Sequence, residues 1–295
     1  MKLSGFTLIR NGVKFDYPFI ESLRSLLPLV DELVINVGIG DADDDTLVRV
    51  QEFARSAPSG KVTWFESHWP LDDPEKRKGG LILSEQTNLA LDRCTGDWCL
   101  YLQADEVLHE ADHSRTLEAI HTADVAGLDA VVFEYLHFYG SFDVVQLTRS
   151  AYRREVRAIR RASQARSIGD AQSFRGPEMK KLQAVLAKGS RIFHYGWVRT
   201  PEAMREKTVF MDQLYHAKGG GTGDNYRYKK FWGLHHYTGS HPAVMKERIA
   251  LKGWHWNLAK SPFEWKFSDT KKVVLDLFER ATGIRLFEYR SYRLK

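Results

Sequence analysis

The chain has 295 residues, 43% of them hydrophobic, enough for a sizeable core, so disorder over most of its length is excluded. Its two cysteines, Cys94 and Cys99, are too few for a disulfide framework and point to a reducing compartment, the cytoplasm. Forty-three basic against thirty-eight acidic residues leave a net charge of +5, mildly favourable to anionic partners, and no apolar run approaches the roughly 18 residues that span a bilayer.

The first half alternates elements. Leu3 to Ile9 reads as a strand stopped by Arg10-Asn11-Gly12, and a helix is expected next, capped by Asp16, with Pro18 in its first turn and Phe19, Ile20, Leu23, Leu26 and Leu27 at helical spacing. Glu32 to Val37 is a second strand, followed by an acidic loop from Gly38 to Asp45. Thr46 to Ala57 reads as a helix, Lys61 to Phe65 as a strand, Leu83 to Arg93 as a helix and Asp97 to Leu102 as a buried strand. This alternation predicts an α/β fold with a mostly parallel sheet whose ligand lies beyond the carboxyl ends of its strands.

The pattern changes past residue 130. Ala130 to Leu136 is strand-like, but Arg149 to Arg191 holds twelve basic and three acidic residues, 12 − 3 = +9. A glycine run, Gly219 to Gly223, reads as a mobile loop; preceded by Lys218, it resembles a phosphate loop only superficially, lacking the terminal Gly-Lys-Ser/Thr. Lys271 to Lys295 alternates apolar and basic residues, an amphipathic tail that either packs on the domain or lies on a membrane surface.

The strongest chemical signal is Gly96 to Glu106, a buried strand that ends in Asp105 and Glu106. Two carboxylates at a sheet's carboxyl edge suit a divalent cation with a phosphate group, or else they merely cap the next element.

This segment resembles the strand and metal motif of family 2 glycosyltransferases, whose fold is GT-A. Ile9-Arg10-Asn11 resembles the end of that family's first strand, Val30 to Ile35 its second, Asp43 to Thr46 its acidic loop, and Ser84 to Leu91 its Asn-containing helix. The resemblance covers residues 1 to 110. It implies a nucleotide-sugar-binding half at 1–130, with an acceptor-binding half and helical extension at 131–295 of the same domain. It also implies a nucleoside diphosphate sugar donor of UDP or GDP type, a divalent metal (Mn²⁺ or Mg²⁺), a carbohydrate or glycolipid acceptor in polysaccharide biosynthesis, and transfer with inversion. Expected donor-binding residues are Ile9, Arg10, Asn11, Asn36, Gln86, Asn88, Gln103 and Ala104. Gln103 stands where the family has an aspartate, and Asn36 lies where it has one for the base, so Asp105 becomes the expected metal ligand.

His194, between Phe193 and Tyr195, is the expected second metal ligand by resemblance; a satisfied core histidine is the alternative. Asp170 is the expected general base, with Glu178 second, unless Asp170 only pairs with Arg166 or Arg175. Arg160, Arg161, Arg166 and Arg175 are candidates for binding a diphosphate or an acidic acceptor. His235, His236 and His241 match no zinc spacing. Two competing readings remain: nucleic-acid binding by the +9 segment, and a sugar-binding pseudoenzyme permitted by Gln103 and Asn36. The glycosyltransferase reading expects no nucleic acid, and admits peripheral membrane contact through the C-terminal segment at the inner membrane surface.

Overall fold

Apolar alternation in the first hundred residues builds the expected parallel sheet, seen in a computed structural model that describes residues 1–215 and 226–295. Strand β1 (Leu3–Ile9), wholly buried, pairs in parallel with β2 (Glu32–Gly38) and, on its other side, with β4 (Trp98–Tyr101), while β3 (Val62–Ser67) extends the sheet beyond β2. Helices α1 (Phe19–Leu26), α2 (Thr46–Ser56), the short α3 (Pro74–Arg77) and α4 (Leu81–Leu91) make the crossovers. Helix α1 starts later than expected. Pro18 is its N-cap, whereas Asp16 sits at a positive φ of 49° and pairs with Arg248 at 2.6 Å.

After β4 the chain turns into β5 (Glu106–Leu108), then α5 (His113–Val125), the hairpin β6 (Ala130–Tyr139) and β7 (Ser141–Gln146), and β8 (Arg154–Arg160). A small separate ladder, β9 (Arg166–Ile168) with β10 (Ser173–Arg175), precedes the long β11 (Leu182–Trp197) and helix α6 (Pro201–Tyr215). The remainder comprises β12 (Leu234–His236), α7 (Lys246–Leu251), α8 (Phe267–Thr282) and β13 (Tyr292–Leu294). The main sheet has eleven strands and runs continuously through both halves of the chain, in the order β12-β7-β6-β8-β4-β1-β2-β3, with β11 joining β6, β5 and β13. This mixed α/β sheet flanked by helices is the fold class that the sequence implied. The glycine run at 219–223 lies outside the described residues.

The arginine-rich stretch is not a solvated face. β8 is a sheet strand antiparallel to β4 and β6, because Val156, Ala158 and Ile159 supply its apolar content and Arg157, fully buried, is neutralised. Its Nε and Nη2 donate to Glu106 Oε2 at 2.8 Å and Oε1 at 2.7 Å, and Nη1 donates to the Gln172 carbonyl at 2.8 Å. Neighbouring arginines pair with acids distant in sequence: Arg149 and Arg153 with Glu279, Arg153 also with Glu288, Arg154 with Glu134, Arg160 with Asp124, and Arg166 with Asp92. The same bridges hold the C-terminal segment on the domain, where β13 pairs with β11. Among the described residues, no helix is long and apolar enough to cross a membrane.

Removing one partner of a buried bidentate pair leaves an uncompensated charge, which costs about 3–5 kcal/mol. Glu106→Ala is therefore expected to lower stability by that amount in urea titrations, while Glu178→Ala, at an exposed pair with Lys180, changes it by less than about 0.5 kcal/mol.

Candidate active site

Three strand ends meet at one cavity of about 340 Å³. Its floor is the carboxyl end of β1 (Ile9, Arg10) and the turn after β4 (Gln103, Ala104, Asp105). Its wall includes His194 from β11, brought beside this turn by antiparallel pairing in which His194 faces Glu106. The turn is closed by a hydrogen bond from Glu106 N to the Gln103 carbonyl at 3.0 Å, and Glu106 Oε2 accepts from Gln103 N at 3.0 Å. Adjacent carboxylates thus part: Glu106 is consumed by Arg157 and by the Tyr135 hydroxyl at 2.9 Å, and Asp105 lines the cavity.

Helix α6 roofs the cavity. Thr200 caps it through Oγ1 to Ala203 N at 3.3 Å, Pro201 fits the first turn, and Met204, Lys207, Thr208, Met211, Leu214 and Tyr215 project onto the cavity from one helical face. Lys207 Nζ donates to Asp105 Oδ2 at 3.2 Å and to the Gly196 carbonyl at 3.0 Å. Behind them Arg199 is fully buried; none of its three guanidinium nitrogens has a hydrogen-bond partner, and it stacks 4.7 Å over the Tyr17 ring. Burial opposes ionisation of Asp105, but Lys207, His194 once it is protonated at low pH, and Arg199 outweigh it and hold the carboxyl well below the usual carboxylate range. Burial lowers Lys207 to about 8, helped by Arg199 and opposed by Asp105.

His194 belongs to a histidine pair. In the parallel register of β6 and β11 it lies beside His137, with Nδ1 atoms 2.9 Å apart, and His137 Nε2 is 2.6 Å from the Tyr152 carbonyl. The tautomers follow from these partners. A carbonyl only accepts, so His137 carries its proton on Nε2 and accepts at Nδ1; His194 then donates from Nδ1 and leaves Nε2 bare. Burial depresses both rings, His137 to about 3 and His194 to about 4, so both are neutral near pH 7. The bare Nε2 faces Asp105 Oδ1 across 3.7 Å, acceptor to acceptor, so the two could share a cation. Residue 196 must be glycine here: an added Cβ would lie 2.5 Å from His194 Nε2 and 2.9 Å from Asp105 Oδ2. One imidazole and one carboxylate are donors that suit a small divalent cation, which would have to displace the Lys207 ammonium from Asp105 Oδ2 and take its remaining ligands from phosphate and water. Among the described residues, no group of three or more His, Cys, Asp or Glu side chains gathers to cage a metal without such help.

Other expected residues divide by what they touch. Asp170 lines the cavity, accepting from the Tyr215 hydroxyl at 2.9 Å and from Gln172 N at 3.3 Å; Arg166 pairs with Asp92 and Arg175 Nη2 with the Tyr289 hydroxyl instead. Gln103 lines it too, with Nε2 3.3 Å from the Ala171 carbonyl. Asn11 borders a neighbouring cavity and accepts from Asp41 N at 2.9 Å. By contrast, Asn36, Gln86 and Asn88, expected to bind the donor, do not line this cavity. Asn36 Nδ2 donates to the Gln86 carbonyl at 2.8 Å, Ser67 closes that network, and Asn88 exchanges hydrogen bonds with the Ser167 backbone. Glu178 is exposed and away from the site, and Arg160, Arg161, Arg166 and Arg175 do not line the cavity. Sequence reasoning missed Lys207, His137, Tyr17 and Trp69, although the spacing of Met204, Met211 and Leu214 after Pro201 was a helix signal.

No family model matches the chain, and no curated protein matches it. Solved structures do. S. aureus TarS is 15% identical with a TM-score of 0.41, the likeness covering 72% of this chain and 39% of that one. TarS 1-349 in complex with UDP gives 15% identity, TM-score 0.40 and coverage of 72% and 65%. The same protein in complex with UDP-GlcNAc gives 15%, 0.40, 72% and 66%. The chain thus spans 39% to 66% of the lengths of these structures.

Behind Gln172, Glu155 accepts from Gln172 Nε2 at 2.7 Å, and burial raises its carboxyl to about 7. The folded chain therefore holds this proton more tightly than the unfolded one, whose glutamates titrate near about 4.3. Its stabilising contribution is complete below that value and is lost as pH rises through about 7. In urea titrations across this range, Glu155→Gln is expected to flatten the decline that the wild type shows.

Proposed function

We propose that the protein is a glycosyltransferase that moves a sugar from a nucleoside diphosphate donor of UDP or GDP type to a hydroxyl of a carbohydrate or glycolipid acceptor. The observation that carries this reading is the cavity at the carboxyl ends of β1 and β4, where Asp105, the bare Nε2 of His194 and the Lys207 ammonium converge. A divalent cation such as Mn²⁺ or Mg²⁺, held by Asp105 and His194, would supply Lewis-acid neutralisation of the departing diphosphate. Lys207 and Arg10 add positive charge on the same cavity, and helix α6 with Trp69 and Phe210 gives it apolar walls.

The acceptor hydroxyl oxygen forms a bond to the anomeric carbon as the bond from that carbon to the phosphate oxygen breaks, and Asp170 takes the hydroxyl proton. Attack opposite the leaving group inverts the anomeric centre. Nucleic-acid binding by the +9 segment loses its support, since most of its arginines are neutralised within the fold.

In a thermal-shift panel, Mn²⁺ with UDP or GDP is expected to raise the melting temperature more than either alone, and Asp105→Ala to lose that increment. Asp170→Asn should keep the increment while slowing transfer by about 10²–10⁴-fold. A metal-independent shift, or full turnover in the Asp170 variant, removes the corresponding role.

Membrane contact is part of this reading. Phe263, Trp265 and Phe267 are 49%, 50% and 94% exposed, and the exposed Lys260 and Lys271 flank them, a combination suited to an anionic lipid surface. Sedimentation with phosphatidylglycerol vesicles should retain the protein, and replacing the three aromatics by serine should release it; retention unchanged by those substitutions, or equal retention on phosphatidylcholine, counts against the contact.

A further inference from the structure

A second cavity, of about 600 Å³, adjoins the donor cavity and shares Tyr152, His194 and Trp197 with it. The hairpin of β6 and β7 forms one side. Gly140 makes its turn at a φ of 73°, where an added Cβ would strike the Trp256 ring at 2.5 Å, and the adjoining Tyr139 faces the cavity with Trp197, Phe231 and Trp232. Broad aromatic faces beside hydrogen-bonding side chains suit the flat apolar face and hydroxyl rim of a sugar ring.

Its charge is not balanced. The segment before α8 alternates, so that Glu264 and Lys266 line the cavity while Phe263, Trp265 and Phe267 face outward. Glu264 is paired with Lys229 at 2.6 Å and with Arg227 at 3.2 Å, and Asp269 with Lys272 at 3.2 Å. Both carboxylates are thus met by cations, and Lys266 makes no ion pair among the described residues. Three cations line the cavity, Lys229, Lys266 and Lys272, against two carboxylates, Glu264 and Asp269, 3 − 2 = +1. A neutral saccharide leaves that excess uncompensated, whereas a ligand bearing a negative group removes it.

We propose that this second cavity is the acceptor subsite and that it selects a saccharide carrying an anionic group, with Lys266 as the cation that reads the charge. The assignment rests on the glycosyltransferase reading for the word acceptor; the recognition of an anionic saccharide stands on the cavity itself. The acceptor hydroxyl reaches the donor past the shared wall of Tyr152, His194 and Trp197, and the anionic group stays at the lysine side. Uronates and sugar phosphates present the same chemistry here.

Three probes separate the possibilities: a disaccharide bearing a uronate, the same disaccharide bearing a phosphate, and the neutral parent. Binding is followed by tryptophan fluorescence, to which Trp197 and Trp232 contribute from the cavity wall. At least one charged probe is expected to bind about tenfold or more tightly than the parent, and whichever does so identifies the group. Lys266→Glu should abolish that preference and Lys266→Arg should restore it, with the UDP thermal shift unchanged in both variants. Because Lys266 is exposed and makes no ion pair, neither variant disturbs a buried contact. Equal binding of charged and neutral probes, binding of none, or a preference that survives Lys266→Glu overturns the proposal. Charge-selective binding in a protein that ignores every nucleotide sugar would leave the subsite standing and remove the transferase reading; nucleotide-sugar binding without charge selection would do the reverse.

Discussion

The segments that carry Asp105 and Asp170 to the cavity depend on the buried pair between Arg157 and Glu106. The guanidinium lies 5.4 Å from the Tyr101 ring and 5.3 Å from the Tyr135 ring, and its hydrogen bonds reach the turn after β4 and the loop holding Gln172. One cation thereby fixes both the segment that presents Asp105 and the segment beside Asp170. Two buried ions are expensive to desolvate, and the cost is offset here because Arg157 Nε, Nη1 and Nη2 and both Glu106 oxygens are hydrogen-bonded. With Glu106 neutralised inside the core, its neighbour Asp105 is left to face the cavity.

A second constraint is the order of donors and acceptors through Tyr152, His137 and His194. A backbone carbonyl at one end decides where the proton sits on a ring two steps away. The pair also stands between the two cavities, so the state of one imidazole is felt on both sides of the wall. Arg199, buried behind this cluster against the Tyr17 ring and without a carboxylate partner among the described residues, keeps the local potential positive without lining the cavity.

The parallel half of the fold was legible because its signals are local: apolar runs, loop residues and helical spacing each lie within about ten residues of one another. Asp105 and His194 were legible as residues at a strand end and between aromatics. What the sequence concealed was pairing. Arg157 reads as surface charge until Glu106, 51 positions away, is placed against it. His137 has no signature of its own; only the register of β6 against β11 joins it to His194. Asn36, Gln86 and Asn88 occupy the elements expected of them, yet their amides satisfy one another and nearby backbone, because a buried amide near such partners bonds to them. The +9 segment misled for the same reason, since net charge along a chain says nothing of which acids fold onto it.

Strand β11 runs from its pairing with β13 at Leu182 to the cavity wall at Trp197, and the lysine-bearing wall of the second cavity comes from residues 264–272. A chain emerging from the ribosome can therefore build the parallel sheet and the Arg157 pair early, while the cavity beside His194 stays open on one face. Its last wall, and the acids that quench Arg149 and Arg153, arrive only with residues 264–288. During that interval the nascent protein carries a basic, half-walled cleft, so premature termination after β11 would release a species that is folded in its first half and adhesive in its second.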